Sequence, residues 1–342
     1  MLLRRVIAVG FAAGVGALLV ACAETKPTVK QQFDIREEST AIVNLSVVSP
    51  DNLFVNNTPS LIDDRNLVYS AKQWVDGAQS NVVSVWRSPS AGGAATKLVP
   101  AGENEWLFLA RSAPKLTNVY YGLGCAIYST QKTGAGGRRK YPGTGYCDYG
   151  PVPFLDESRI LFQSCVTGRD CFYQDTNYIW IMNPDGTNMT QLRQGRDAQL
   201  SPDAKKIAFS YKGDIWTMNV DGTEATNLTA SDEYADTLPT YTPDGRRIFF
   251  TRVNVKASVR QSDIWMMNSD GSEVIQLTMN PSDDLAPYAG VDGYVYFISN
   301  RGALVNNDYP HRIWRAQVIL QKPVPAAPQP HAGPPAGEPT AR

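Results

Sequence analysis

Histidine is almost absent from this chain: His311 and His331 are the only two in 342 residues, and the second lies in a proline-rich tail. A multi-histidine metal centre is excluded, and any histidine-dependent proton transfer would rest on His311 alone. Net charge is lacking as well, with 32 Lys and Arg against 33 Asp and Glu for a formal charge of −1. No global field draws in a phosphate backbone, so nucleic acid is not an expected partner. Long apolar runs are also missing. The stretch from Val6 to Ala21 holds 16 residues, short of the roughly 20 that span a hydrocarbon core as a helix. Neither C-x-x-C nor G-x-S-x-G occurs, which speaks against a zinc site and a hydrolase nucleophile elbow. No cofactor or metal is expected.

What the ends do contain is an export pattern. Arg4 and Arg5, the apolar run and a small residue before Cys22 make residues 1–21 a signal peptide. Leu19-Val20-Ala21-Cys22 resembles the bacterial lipobox, which implies that the Cys22 thiol is acylated and anchors the mature chain to the lipid bilayer. Residues 22–38 are polar and read as a flexible tether with a reach of roughly 20–24 Å. Ala23 stands where lipoproteins retained in the inner membrane carry Asp. The expected location is therefore the cell envelope, at the outer membrane, facing the periplasm or the cell surface. Residues 322–342 hold seven Pro among small and polar residues and cannot offset ordering entropy by burial, so they read as a disordered tail.

Besides Cys22 there are four cysteines, at 125, 147, 165 and 171. An even number in an exported chain suggests two disulfides, and proximity favours Cys165 with Cys171 and Cys125 with Cys147 among three possible pairings.

Self-similarity is the dominant signal of the interior. Ile179 to Thr187, Ile215 to Thr223 and Ile264 to Ser272 are three copies of one nonapeptide, Ile-Trp-x-Met-Asn-x-Asp-Gly-Thr/Ser. Alternation leading into Asp-Gly and a second short strand is a hairpin, because Gly supplies the positive φ of a tight turn without strain. A second hairpin precedes the later copies, through Ser201-Pro-Asp-Ala204 and Thr242-Pro-Asp-Gly245. Two successive hairpins make a four-stranded antiparallel unit, and its Trp residues recur at spacings of 36, 49 and 49 from Trp180 to Trp314. Such periods indicate propeller blades. Weaker copies bring the count to six, beginning near residues 58, 112, 149, 197, 236 and 285, so residues 39–321 form an all-β, six-bladed β-propeller. The strand at 41–48 belongs to no blade and is expected to close the ring on the last one, leaving no free edge. The recurring Trp reads as inter-blade packing and the Asp-Gly repeats as turn chemistry.

These residues resemble the PD40, or WD40-like, repeats of the TolB C-terminal propeller, strongly over 149–300 and weakly over 40–148. The eukaryotic WD40 type does not fit, since Gly-His and Trp-Asp dipeptides are absent. The chain departs from TolB in lacking its preceding α/β domain, so TolB's partners are not carried over. The resemblance implies a TolB-like propeller lipoprotein. Similar propellers of oligosaccharide lyases and prolyl-peptidase-type enzymes depend on His clusters or a separate hydrolase domain, neither of which occurs here.

Blade geometry places the tight turns on one face and the connections at 71–82, 129–150, 163–177, 252–262, 279–286 and 299–311 on the other, where binding residues are expected. Two features stand out there. Arg138, Arg139 and Tyr141 lie in a Gly-rich segment that suits docking of a protein or an anionic glycan, or is a plain solvated loop. Asp148, Asp197, Asp236 and Asp284 stand near four blade starts, either as an acidic ring at the channel mouth or as carboxylates satisfying strand-entry N–H groups. The expected function is a non-catalytic protein-interaction scaffold with an envelope protein partner; the alternative is a carbohydrate-active enzyme or a glycan- or metal-binding propeller. Replacing Cys22 with Ala is expected to release the protein from the membrane fraction, and undiminished membrane recovery would refute the anchor.

Overall fold

The computed structural model describes residues 39–55, 57–75, 78–165, 176–302 and 311–319. The signal peptide, Cys22, the whole tether, Cys171 and the tail lie outside the described residues. The first strand, β1 (Ile42–Val47), is followed by six sheets in chain order. Blade one has an inner strand in two pieces, β2 (Leu53–Val55) and β3 (Ser60–Asp63), both paired with the long β4 (Asn66–Val75). β5 (Ala78–Gln79) folds back on the end of β4, and β6 (Ser84–Pro89) and β7 (Thr96–Val99) complete the blade. Blade two is β8 (Leu107–Arg111), β9 (Asn118–Leu123), β10 (Ala126–Gln131) and β11 (Arg139–Lys140). Blade three is β12 (Cys147–Pro153), β13 (Ile160–Cys165), β14 (Asn177–Met182) and β15 (Thr190–Gln194). Blade four is β16 (Arg196–Leu200), β17 (Lys206–Tyr211), β18 (Asp214–Asn219) and β19 (Thr226–Asn227). Blade five is β20 (Tyr234–Tyr241), β21 (Arg247–Asn254), β22 (Ser262–Asn268) and β23 (Ile275–Gln276). Blade six takes β24 (Asp284–Ala289), β25 (Tyr294–Ser299) and β26 (Arg312–Val318) from the end of the chain. Its fourth strand is β1, antiparallel to β26, so the ring closes as the unassigned N-terminal strand predicts.

The seams between blades share two devices, an apolar one at every seam and, among the described residues, a polar one at four of the six. The first is apolar. Across the second and third strands an aromatic faces an aromatic: Tyr69 with Trp86, Phe162 with Trp180, Phe209 with Trp216, Phe250 with Trp265 and Phe297 with Trp314. Blade two substitutes Tyr121 with Tyr128, which is why its copy of the repeat is faint in sequence. The Trp side chains reach into the preceding blade: Trp216 packs with Leu161 and Ile179, and Trp265 with Ala208 and Ile215. Burying a side chain of this size is worth roughly 1.5–3 kcal/mol, and no blade could bury it alone.

The second device is polar. Most inner strands carry a bulge at a residue with positive φ, namely Leu109, Gly150, Asp197, Leu238 and Ala286. A left-handed conformation costs a residue with a Cβ about 1–2 kcal/mol, and it turns the N–H out of the ladder. The residue following the second-strand aromatic of the preceding blade accepts it. Gln163 takes the Asp197 N–H at 2.7 Å, Ser210 that of Leu238 at 3.2 Å and Thr251 that of Ala286 at 3.0 Å. Ser70 takes the N–H of Ala110, one residue beyond the Leu109 bulge. The inner strands face the channel as sheet edges, and Pro151, Pro239 and Pro287 sit there at no cost in ladder bonds.

Cys125, in the turn between β9 and β10, is bonded to Cys147 at the start of β12, with Cα atoms 4.2 Å apart. The expected pair thus staples blades two and three. Cys165 is buried at the end of β13; its expected partner, Cys171, lies outside the described residues.

His311 lies at the closing seam, where its carbonyl accepts the Val55 N–H and its ring meets Phe54 edge-on at 6.4 Å. Neither ring nitrogen has a hydrogen-bond partner among the described residues, and burial pulls the imidazole from 6.5 down to about 4. The folded state therefore holds neutral histidine while the unfolded chain takes a proton first. The resulting stability is full above pH 6.5, declines as pH falls below it and is gone near pH 4, a loss of about 3 kcal/mol from this group. Urea unfolding of wild type and His311→Leu at pH 7, 5.5 and 4 is expected to show a steeper acid decline in wild type; parallel declines would refute this.

Candidate functional site

The two faces differ in how their polar groups are spent. On the face of the tight turns the nonapeptide loops repeat one another bond for bond. Asp185, Asp221 and Asp270 each accept from the hydroxyl and N–H two residues on, at Thr187, Thr223 and Ser272. These bonds hold the three carboxyls below the usual carboxylate range. Asn183, Asn219 and Asn268 donate to the same hydroxyls. The Asp-Gly repeats are thus turns whose polar atoms are satisfied internally.

The opposite face carries the connections between second and third strands and between blades. Four carboxylates predicted at its channel mouth are there, but they do not form a ring of equivalent groups. Asp148, Asp236 and Asp284 each stand two residues before the bulge of their inner strand, whereas Asp197 is itself the bulge residue. Asp148, Asp236 and Asp284 are closed off by burial, whereas Asp197 lines the channel cavity. Asp148 is buried and accepts from the N–H and hydroxyl of Thr144. Asp236, fully buried, holds Arg252 through two bonds of 2.7 and 2.8 Å. Asp284 is fully buried against Arg301. Asp197 faces Arg196 at 3.6 Å. Desolvation pushes the carboxyls of Asp236 and Asp284 upward against the pull of their guanidinium partners. Only Asp148 satisfies a backbone N–H at strand entry; Asp197, Asp236 and Asp284 instead face arginines, which neither expected reading included.

Their arginine partners were missed by the sequence reading. Counting back from the Thr242-Pro-Asp-Gly245 turn puts Thr237 opposite Arg252, and only the bulge at Leu238 shifts the register by one residue and brings Asp236 there. The same two arginines also lie over the repeat aromatics, Arg252 at 4.8 Å from Trp265 and Arg301 at 5.4 Å from Trp314, so each closes an ion pair and a cation–π contact at once.

The 129–150 segment is not the single loop that its composition suggests. It runs from the end of β10 through β11 into β12, so residues 132–138 turn between the third and fourth strands on the tight-turn face and only residues 141–146 connect blades on the expected one. Arg138 pairs with Glu105 at 2.8 Å and donates to the Pro100 carbonyl. Arg139 lies over the Tyr141 ring at 4.8 Å, and Tyr141 is buried with its hydroxyl on Ser129. The basic and aromatic side chains are largely engaged within the fold; Tyr146, half exposed, is the large apolar group that remains outside.

Other large apolar groups emerge on this face. Trp106 is 52 % exposed, and its indole N–H donates to the Asn81 carbonyl at 2.9 Å. A parallel bridge from Trp106 to Val83 fixes its backbone, and the Lys72 ammonium lies 4.6 Å from the ring. Val75, at the tip of β4, and Met279, before β24, are also exposed. The central channel is narrow. Its waist is walled by Leu109, Gly150, Leu238 and Pro287 and crossed by Arg111, which donates to Gln199 at 3.1 Å; the free volume is about 20 Å³. That is space for about one water. Among the described residues no group of three or more His, Cys, Asp and Glu could hold a metal.

No protein-family model matches the chain, and no curated relative matches it. Solved structures do. A protein from Agrobacterium tumefaciens assigned as a TolB is 20 % identical, with a TM-score of 0.51 over 62 % of this chain and 76 % of its own. An oligogalacturonate lyase from Vibrio parahaemolyticus is 11 % identical, with a TM-score of 0.53 over 80 % of this chain and 93 % of its own. A gluconolactonase from Xanthomonas campestris is 11 % identical, with a TM-score of 0.53 over 82 % and 91 %. At these identities the likeness shows a shared TolB-like propeller fold, common to proteins of different activity.

Asp236→Asn is expected to destabilise by about 3–5 kcal/mol, because Arg252 is left buried without a counter-charge. The double variant Asp236→Leu with Arg252→Met should recover most of that loss, read as urea midpoints. Equal midpoints for wild type and Asp236→Asn would show the pair to be idle.

Proposed function

We propose that this chain is a lipid-anchored protein of the bacterial envelope whose propeller serves as a non-catalytic scaffold, with an envelope protein docking on the connection face. The observation that supports this reading best is Trp106. The chain has seven Trp, of which five occupy the third strand of a blade; Trp74 lies in β4, the second strand of blade one, and Trp106 just before β8. A half-exposed indole held rigid by a hydrogen bond loses little entropy on contact, which is the profile of an interface anchor. Tyr146, Met279 and Val75 on the same face supply further apolar contact area.

Photo-crosslinking residues introduced at 106, 146 and 279 in intact cells should yield one discrete protein adduct, whereas positions 155, 274 and 291 among the tight turns should not. Adducts from the second set only would place the site on the other face. Turnover of an envelope polysaccharide by the purified chain would overturn the non-catalytic reading in favour of the carbohydrate-active alternative.

A further inference from the structure

The Cys125–Cys147 bond lies on the connection face, outside the layer of buried ion pairs, and its surroundings are open. Cys125 is exposed in the two-residue turn that Leu123 and Ala126 close between β9 and β10, and Cys147 is half-buried where β12 begins. Beside them in the chain Gly124, Pro142, Gly143, Gly145 and Tyr146 are all exposed. A Cβ added at Gly124 or Gly145 would meet nothing within 4 Å beyond its chain neighbours. These low walls leave the sulfur pair within reach of a body as large as another protein, and the Tyr146 ring next to Cys147 offers it a contact.

The frame around the bond is held independently of it. The Asp148 N–H reaches the Cys125 carbonyl, and Thr144 ties the approach to β12 through Asp148 and Ser164. Beneath these, Tyr120, Tyr141, Ile160 and Phe162 pack across the seam of blades two and three. Cleavage of the bond therefore leaves the strands on both sides paired and packed. An open disulfide in a frame that survives its loss has the character of an exchanging bond, since structural disulfides resist reduction and exposed ones are the labile kind.

We propose that Cys125–Cys147 is a redox site that exchanges with a protein dithiol of the Cys-x-x-Cys class. A thiolate of that partner attacks Cys125 Sγ; the Cys125–Cys147 bond breaks, a mixed disulfide forms, and Cys147 leaves as a thiolate. The partner's second thiol then displaces Cys125 and closes the partner's own disulfide. The partner gives up two electrons and two protons, and the chain takes them and ends with two thiols. The site stands apart from the docking reading, because it involves neither Trp106 nor Met279.

The experiment uses the full chain. It is reduced with dithiothreitol, both native and unfolded in urea, and in the native state with a thioredoxin-class protein dithiol. Thiols are trapped with a maleimide, and peptide mapping assigns the label to Cys125 and Cys147, apart from Cys165 opposite Cys147 in the β12–β13 ladder. Dithiothreitol should reduce the native bond within about tenfold of its rate on the unfolded chain, whereas a bond reached only through unfolding would lag by the unfolding equilibrium constant, on the order of 10³ or more. The far-ultraviolet spectrum of the reduced chain should match that of the oxidised one. Tyr146→Ala should slow the protein dithiol severalfold and leave the dithiothreitol rate unchanged. A native rate lower than the unfolded one by on the order of 10³ or more, loss of the sheet spectrum on reduction, or an equal effect of Tyr146→Ala on both reductants would each overturn the proposal.

Discussion

The structure depends on the contact between one blade and the next. A four-stranded sheet of this size has two faces and cannot bury either alone. The aromatic pair at each second and third strand is therefore useful only when a neighbouring blade covers it, as blade three covers Trp216 and blade four covers Trp265. The residue after the second-strand aromatic adds a directional term. At Gln163, Ser210 and Thr251 it accepts an N–H that the bulge of the following blade has turned out of its own ladder. Packing and hydrogen bonding thus reinforce the same interface, and at these seams a strain of the order of 1 kcal/mol per bulge is offset.

Closure follows from that constraint. A ring of mutually covering blades leaves one seam where the ends meet, and β1 completes blade six by pairing with β26. His311 and Val55 join across the same place. The seam therefore depends on strand pairing between distant parts of the chain, and on a histidine that must stay neutral.

Charge in the interior is organised by the same geometry. Where the inner strand starts, the bulge brings a carboxylate beside the end of the second strand, and in blades five and six an arginine answers it. These arginines lie over the repeat tryptophans, so the polar and apolar parts of a blade are locked together. The connection face outside this layer is left with groups the repeat does not require, Trp106 and Met279 among them, and the channel with Arg111. Function is therefore sought where side chains depart from the repeat.

Much of this was legible in the residues. The nonapeptide copies carry the hairpins and their spacing carries the blade, because both depend on local turn chemistry and on strand alternation, while the strand at 41–48 pointed to closure only by being left over. The Cys125–Cys147 pairing was legible from export and count. The surroundings of the four Asp residues were not legible, since a carboxylate opposite an arginine and a carboxylate facing solvent look alike in sequence, and the bulge that brings Asp236 opposite Arg252 shifts the register counted from the turn. The 129–150 segment misled for a related reason: its Gly and Arg composition reads as loop, while packing on Tyr141 and pairing with Glu105 draw it into strands. By itself the sequence determined the repeat and the number of blades, because these follow from interactions between residues near one another in the chain, and it pointed to the closing strand only because that strand was left over. The pairing of β1 with β26 from the other end of the chain, which charges are neutralised and which tryptophan stands in solvent were decided only by the tertiary structure, because closure, burial and ion pairing depend on residues that the ring brings together from blades far apart in sequence.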